Sequence, residues 1–336
     1  MLEIVTFLVL AAAATAVVWK GSTWLETSAN RLATGYGVPA VVQGAIIAAV
    51  GSSMPELASV LVATLLHGEF ELGVGAIVGS AVFNLLVIPA AAALAGGGGM
   101  ETGRDLVYKE ALFYMLAVAV LLLTFSMAII YNPLEGTGLR GSVTRPLALF
   151  PLVLYGLYVF TQYLDTADSA EEADTTVDRF RAWLWFGVGL VLIVVGVEGL
   201  VRAAIGLGEA FGTPAFLWGM TVVAAGSSIP DAFVSISAAR SGRPAVSLAN
   251  VLGSNVFDLL VAVPIGVLVA GTLAITFAHI VPMMGFLILA TVVFFTIMRT
   301  GMLLSRREAW TLLVIYGLFV AWLILESVGV TTVVPT

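Results

Sequence analysis

Four short segments of this 336-residue chain place small, polar and acidic residues inside long apolar runs. They are GSSMPE at 51–56, GSAVFN at 79–84, GSSIPD at 226–231 and GSNVFD at 253–258. Glu56 is the single charged residue between Ala40 and Leu66. Each segment pairs a hydroxyl with a carboxylate or amide four residues on, which places both on one helix face. The pairs are Ser52 with Glu56, Ser80 with Asn84, Ser227 with Asp231, and Ser254 with Asp258. These are hard oxygen donors. They suit Ca²⁺, which takes six to eight oxygens, and alkali cations, but not soft metals.

Pro55 and Pro230 add a second oxygen source. A proline inside a helix removes one backbone hydrogen bond and crowds the carbonyl four residues earlier. Those carbonyls belong to Gly51 and Gly226. The expectation is a kink in both helices, freeing carbonyl oxygens around Ala49–Ser52 and Ala224–Ser227. In hydrocarbon, freed carbonyls persist only where they are buried in protein or line a cavity. No Lys or Arg lies near the middle of any apolar run. Glu56, Asp231 and Asp258 are therefore intramembrane acids without a basic partner, which marks them as functional. Ser80, Asn84 and Ser254 could equally be packing groups that hydrogen-bond between helices, with Gly79 and Gly253 allowing close backbone approach.

The elements that carry these segments are apolar throughout. The chain is 60 % hydrophobic and 10 % charged, with mean hydropathy +1.08. Soluble domains carry about 25 % charged residues. The runs are long and unbroken, so the fold class is an all-α membrane protein. Ten transmembrane helices are expected near 3–19, 40–66, 72–96, 111–130, 147–164, 183–204, 214–239, 246–271, 276–298 and 309–325. The first has Glu3 and no basic residue ahead of it, so it reads as a retained helix and not a signal peptide.

Ten spans leave nine loops that alternate between two faces. Lys20, Arg31, Arg104, Lys109, Arg179, Arg181, Arg240, Arg243, Arg299, Arg306 and Arg307 fall to one face. Arg140, Arg145 and Arg202 fall to the other, which accounts for all 14 basic residues. The positive-inside rule puts the first face in the cytoplasm and both termini outside. The acidic stretch 165–178, DTADSAEEADTTVD, reads as a solvated cytoplasmic linker.

The chain repeats itself. Residues 35–56 align with 210–231, so that Pro55 maps to Pro230 at an offset of 175 (230 − 55). Residues 78–87 align with 252–261 at an offset of 174 (252 − 78). The halves are 1–164 and 182–336, joined by a linker at 165–181. Five spans per half is an odd number, so the second half enters the membrane from the opposite side. Inverted repeats of this kind build secondary transporters, with the site at the midplane on interrupted helices.

Other chemistries find little support. There is no cysteine, which removes disulfide and thiolate chemistry. His67 and His279 lie at span ends, too far from the motifs to serve as a base for a serine nucleophile, so an enzyme is not expected. Glu198 has Arg202 four residues on and reads as a helix-surface ion pair. No feature points to nucleic acid, a cofactor or an obligatory protein partner.

At the four motifs the sequence resembles the calcium/cation antiporter superfamily, and within it the Na⁺/Ca²⁺ exchanger family, whose α-repeats carry G-[ST]-S-x-P-[ED] followed by G-S-x-x-x-[ND]. The resemblance implies a central site built by spans 2, 3, 7 and 8, with spans 1 and 6 as sliding gate elements. It implies Glu56 and Asp231 as the Ca²⁺-bridging carboxylates. Ser52 and Ser227 would act through carbonyls and Ser53 and Ser228 through hydroxyls. The carbonyls of Ala49 and Ala224, beside Ser80 and Ser254, would serve flanking Na⁺ sites, with Asn84 and Asp258 flanking the centre. The function it implies is Na⁺-for-Ca²⁺ antiport across the plasma membrane. Asp231 is one methylene shorter than the Glu of some prokaryotic members. The large cytoplasmic Ca²⁺-sensing domains of animal members have no counterpart in the fifth loop. The G-N-x-x-E motif of H⁺-coupled members is absent, yet three acids around one Ca²⁺ leave one negative charge over. An H⁺-coupled, K⁺-dependent or other-divalent exchanger is the alternative.

Overall fold

The computed structural model describes residues 2–37, 49–96, 99–101, 103–135, 139–164, 176–327 and 330–331. The first half runs α1 (Leu2–Gly35), α2 (Ala49–Ser52), α3 (Met54–His67), α4 (Phe70–Leu86), α5 (Ile88–Ala95), α6 (Arg104–Tyr131) and α7 (Arg145–Leu164). The second half begins with α8 (Arg179–Phe211) and α9 (Ala215–Trp218), then a π-helical turn (Gly219–Val223) and α10 (Ala224–Arg240). It continues with α11 (Pro244–Phe257), a second π-helical turn (Asp258–Ala262), α12 (Val263–Ala270), α13 (Phe277–Arg299) and α14 (Arg306–Ser327).

Among the described residues, nine helical stretches are long and apolar enough to cross a membrane, and α3 is a shorter apolar helix. This matches the expected spans, with the start of the second, 38–48, outside the described residues. The protein is therefore a multi-pass membrane protein.

Burial sorts the spans into layers. The window of Phe70–Ala95 is 78 % buried inside the protein and that of Pro244–Ala270 is 89 % buried. Those of Leu2–Gly35 and Arg145–Leu164 are 17 % buried and that of Arg306–Ser327 is 22 % buried. The spans that carry the second motif of each repeat are thus the centre of the bundle, and the others turn a face to lipid.

Backbone contact at glycines sets the central packing. A Cβ on Gly79 would lie 2.3 Å from the carbonyl oxygen of Met220, and one on Gly75 2.6 Å from that of Phe216. In return, a Cβ on Gly219 would lie 2.5 Å from the carbonyl oxygen of Leu72. Helix α4 therefore presses backbone to backbone on the 215–224 stretch, which only small residues allow.

Helices α1 and α8 form an outer pair. They have 34 and 33 residues, about 50 Å each at 1.5 Å per residue. A hydrocarbon core of about 30 Å requires such helices to tilt or extend beyond it. Their crossing is again glycine against backbone: a Cβ on Gly21 would meet Gly189 and Ile193, and one on Gly189 would meet Gly21 and Leu25. Sequence reading ended the first span at residue 19. The helix continues to Gly35 because Gly21, Ser22, Leu25, Ser28 and Ala29 stay buried, so packing carries it past Lys20 and Glu26.

Two short antiparallel ribbons tie the loops together. β1 (Met100–Glu101) pairs with β4 (Leu303–Leu304), and β2 (Arg140–Val143) pairs with β3 (Leu273–Thr276). The first joins loops 3–4 and 9–10, and the second joins loops 4–5 and 8–9. Exchanging the halves turns one ribbon into the other, as an inverted repeat requires. Contacts between Arg179 and the Gly35 carbonyl, and between Arg145 and the Leu268 carbonyl, obey the same two-faced grouping of loops. The turn glycines repeat too, with Gly37 at φ 68° against Gly212 at 64°, and Gly68 at 72° against Gly242 at 73°.

Candidate functional site

The first motif sits where a span is interrupted. Helix α2 ends at Ser52, Ser53 turns with φ −87° and ψ 4°, and α3 opens at Met54 with Pro55 in its first turn. The expectation of a matching break at Pro230 is corrected. Helix α10 runs unbroken from Ala224 to Arg240 with Pro230 inside it. The irregularity of the second half is taken up by the π turns at 219–223 and 258–262. π turns accommodate an inserted residue and free helix carbonyls without ending the helix. The second one marks a real insertion: Asp258 maps to Asn84 at an offset of 174 (258 − 84), whereas Pro264 maps to Pro89 at 175 (264 − 89).

The four motifs, separated by up to 202 residues in sequence, meet at one place. Ser52 Oγ lies 2.9 Å from Ser254 Oγ, and Ser80 Oγ lies 2.7 Å from Ser228 Oγ. Each contact joins the first motif of one repeat to the second motif of the other. Ser53 Oγ donates to the Ser254 carbonyl at 3.4 Å. Glu56 Oε1 accepts from Ser80 at 3.4 Å and Ser228 at 3.3 Å. Asn84 Nδ2 donates to Asp231 Oδ2 at 3.3 Å and to Asn255 Oδ1 at 2.9 Å. Ser227 Oγ turns back to the Ala224 carbonyl at 3.3 Å. Ala49 begins α2, one turn from the Ser53 break.

All eleven polar motif residues are shut from solvent: Ser52, Ser53, Ser80, Asn84, Ser228, Asp231, Ser254, Asn255 and Asp258 at 0 %, and Glu56 and Ser227 at 1 %. Within this enclosure the oxygens Glu56 Oε2, Asn84 Oδ1, Asp231 Oδ1, Asp258 Oδ1 and Asp258 Oδ2 have no hydrogen-bond donor among the described residues. Leaving buried carboxylate oxygens unpaired costs several kcal/mol. Among the described residues no cluster of three acidic or histidine side chains gathers tightly enough to hold a metal ion by itself. Any cation here must draw on carboxylates, hydroxyls, the Asn84 amide and carbonyls together, as Ca²⁺ and Na⁺ do.

Glu198 and the two histidines fall where the sequence put them. Glu198 pairs with Arg202 four residues on, and also with His67 Nε2 at 2.8 Å. His279 pairs with Glu71 at 2.8 Å. Both histidines serve helix-end contacts away from the motifs.

Two neighbours of the centre escaped sequence reading. Asn255 accepts from Asn84 and donates to the Ala81 carbonyl at 3.3 Å and to Tyr114 Oη at 3.4 Å. It lies inside GSNVFD, but its counterpart is Ala81, so comparison of the repeats passes over it. Glu26 on α1 packs beside Gly51. Its counterpart is Val201 (26 + 175), and nothing in a single sequence ties it to the motifs.

Known proteins share this arrangement. The sequence model of the family "Sodium/calcium exchanger protein" matches residues 6–164 and 181–325. The chain is similar to sodium/calcium exchanger MaX1 of Methanosarcina acetivorans, 27 % identical across 71 % of this chain and 76 % of that protein. Its fold is similar to the sodium-calcium exchanger NCX_Mj, with TM-score 0.61, 21 % identity and coverage of 95 % of this chain and 99 % of that one. It is also similar to the H⁺/Ca²⁺ exchanger CAX, with TM-score 0.70, 16 % identity and coverage of 96 % and 84 %. Because the family model spans both repeats and all four motifs, the chain belongs to the sodium/calcium exchanger protein family, whose members are membrane exchangers and not enzymes.

Proposed function

We propose that the protein is a secondary antiporter that moves Ca²⁺ outward across the plasma membrane against inward Na⁺. The observation that carries this reading is the set of buried, donor-free oxygens on Glu56, Asn84, Asp231 and Asp258 at the junction of the four motifs. Glu56 and Asp231 are the principal Ca²⁺ ligands. Ser53 and Ser228 contribute hydroxyls and Ser52 and Ser227 carbonyls. Asn84 and Asp258 flank the centre. The Ala49 and Ala224 carbonyls, with Ser80 and Ser254, complete positions for Na⁺.

Competition supplies the mechanism. Ca²⁺ and Na⁺ draw on overlapping oxygens, so occupancy by one disfavours the other, and only differential binding is needed to couple their movements. The α1–α8 pair is suited to slide over the central helices, because it packs as a unit through its own glycines. Repeat boundaries at 1–164 and 182–336, joined by the 165–181 linker, follow from the internal duplication. The eleven-to-three split of basic residues favours extracellular termini and a cytoplasmic linker.

A second reading, H⁺ as the coupling ion, is favoured by the similarity to CAX and by the charge count. Three acids around one divalent ion leave one charge for H⁺, K⁺ or Na⁺. The test is Ca²⁺ uptake into proteoliposomes loaded with Na⁺, with K⁺, or with an outward H⁺ gradient alone. Uptake that requires internal Na⁺ supports the reading. Uptake driven by the H⁺ gradient and indifferent to Na⁺ refutes it.

A further inference from the structure

Glu26 belongs to none of the four motifs, yet it lies against one of them. Its Cγ is 3.6 Å from the position a Cβ on Gly51 would take, so its side chain packs directly beside the first motif. Gly51 is five residues before Glu56, on the side of the membrane where α1 ends. Helix α1 also packs against α10, the helix that carries Asp231. No hydrogen bond or ion pair to a described residue holds the Glu26 carboxylate.

Two further observations point to a ligand at this place. Ser22, four residues earlier and on the same face of α1, is 0 % exposed, with no partner for its hydroxyl among the described residues. Asp231 Oδ1 and Glu56 Oε2 are likewise buried without donors. Glu26 differs from the central acids in being half-buried, so it stands between the enclosed centre and the outside. Lys20, on the same helix, lies over the Trp24 ring. The duplication does not require an acid here, because Val201 fills the equivalent position.

We propose that Glu26 is an access ligand for hard cations, Ca²⁺ or Na⁺, on the side of the membrane where α1 ends. It takes the incoming ion before Asp231 and Glu56 do. Because it rides on the outer helix pair, it approaches and leaves the centre as that pair moves, and its contribution is confined to one face. The assignment rests on the antiport reading for the identity of the ions and on the geometry at Gly51 for the residue.

The test compares wild type, Glu26→Gln and Glu26→Asp in right-side-out and inverted vesicles, measuring the Ca²⁺ concentration that half-saturates transport on each face. A carboxylate lining an access path raises local cation concentration by tenfold or more. Glu26→Gln should therefore raise half-saturation about tenfold on the face where α1 ends and leave the other face unchanged. Glu26→Asp should recover most of the loss. An unchanged value on both faces, or an equal shift on both, overturns the assignment. Should Glu26→Gln fail to insert, Glu26→Ser takes its place, with the same one-sided rise expected and the same two outcomes overturning the assignment. A wild type that carries Ca²⁺ without Na⁺ overturns the coupling reading only; a one-sided shift in Glu26→Gln would still uphold the access ligand.

Discussion

Gly79→Ala is the most economical way to disturb the centre without touching a polar group. The added Cβ would stand 2.3 Å from the Met220 carbonyl oxygen, 2.7 Å from Met220 Cα and 2.8 Å from Ala224 Cβ. A carbon needs about 3.3 Å from a carbonyl oxygen. Helix α4 and the 215–224 stretch must therefore separate by about 1 Å. All three contacted atoms are backbone or a Cβ bonded to it, so no flexible side chain can yield. Overpacking of this kind costs about 1–3 kcal/mol. The separation also carries Ser80 away from its partners. Its hydrogen bond to Glu56 is already 3.4 Å long, and another 1 Å takes it outside bonding range. Its 2.7 Å contact with Ser228 would stretch as well. Purified Gly79→Ala should melt several degrees below wild type and bind Ca²⁺ about tenfold more weakly, which corresponds to 1.4 kcal/mol. Gly156→Ala is the control, since nothing lies within 4 Å of its Cβ. There the same change should be neutral or stabilising by up to about 1 kcal/mol, because alanine is the better helix former. Wild-type Ca²⁺ affinity in Gly79→Ala, or an equal loss in Gly156→Ala, would refute the claim that the close glycine contact sets the site.

Asp258→Asn removes the charge that one Ca²⁺ leaves over. It should preserve Ca²⁺ binding but abolish dependence on a companion H⁺ or K⁺, read as Ca²⁺ uptake across a pH and K⁺ series. Disruption of the helix-end contacts should leave the centre alone. His67→Ala, which breaks a pair whose side chains are 21 % exposed, should cost no more than about 1 kcal/mol in stability and keep wild-type Ca²⁺ affinity in a binding titration. The chain has no cysteine, so single cysteines report its topology directly. Arg140→Cys and Thr272→Cys should react with an impermeant thiol reagent from one side of the membrane, and Glu101→Cys and Thr300→Cys from the other. Labelling of all four from one side would break the ten-span arrangement.

Much of this arrangement is legible in the residues themselves. Acids alone in apolar runs mark the buried junction where the four motifs meet, because hydrocarbon tolerates an unpaired carboxylate only with a purpose. The two offsets, 175 and 174, announce the duplication, and the odd number of spans in each half inverts it. What escaped has physical causes. Pro230 does not interrupt its helix, because a lost hydrogen bond can be absorbed when π turns on neighbouring stretches redistribute the carbonyls. The first span runs to Gly35 because tertiary packing, which hydropathy does not record, buries one face of its polar half. Asn255 and Glu26 reach the centre without counterparts in the other repeat, so only the contact between helices reveals them.

The central claim is that one enclosed set of oxygens binds both ions in turn. Equilibrium binding of radioactive Ca²⁺ to purified wild type and Glu56→Gln, across a series of Na⁺ concentrations, tests it most directly. The account predicts saturable binding in the wild type that Na⁺ shifts to higher Ca²⁺ concentration without lowering its maximum, and no saturable binding in Glu56→Gln. Undiminished binding in Glu56→Gln, or Na⁺ that lowers the maximum without shifting the curve, would contradict it.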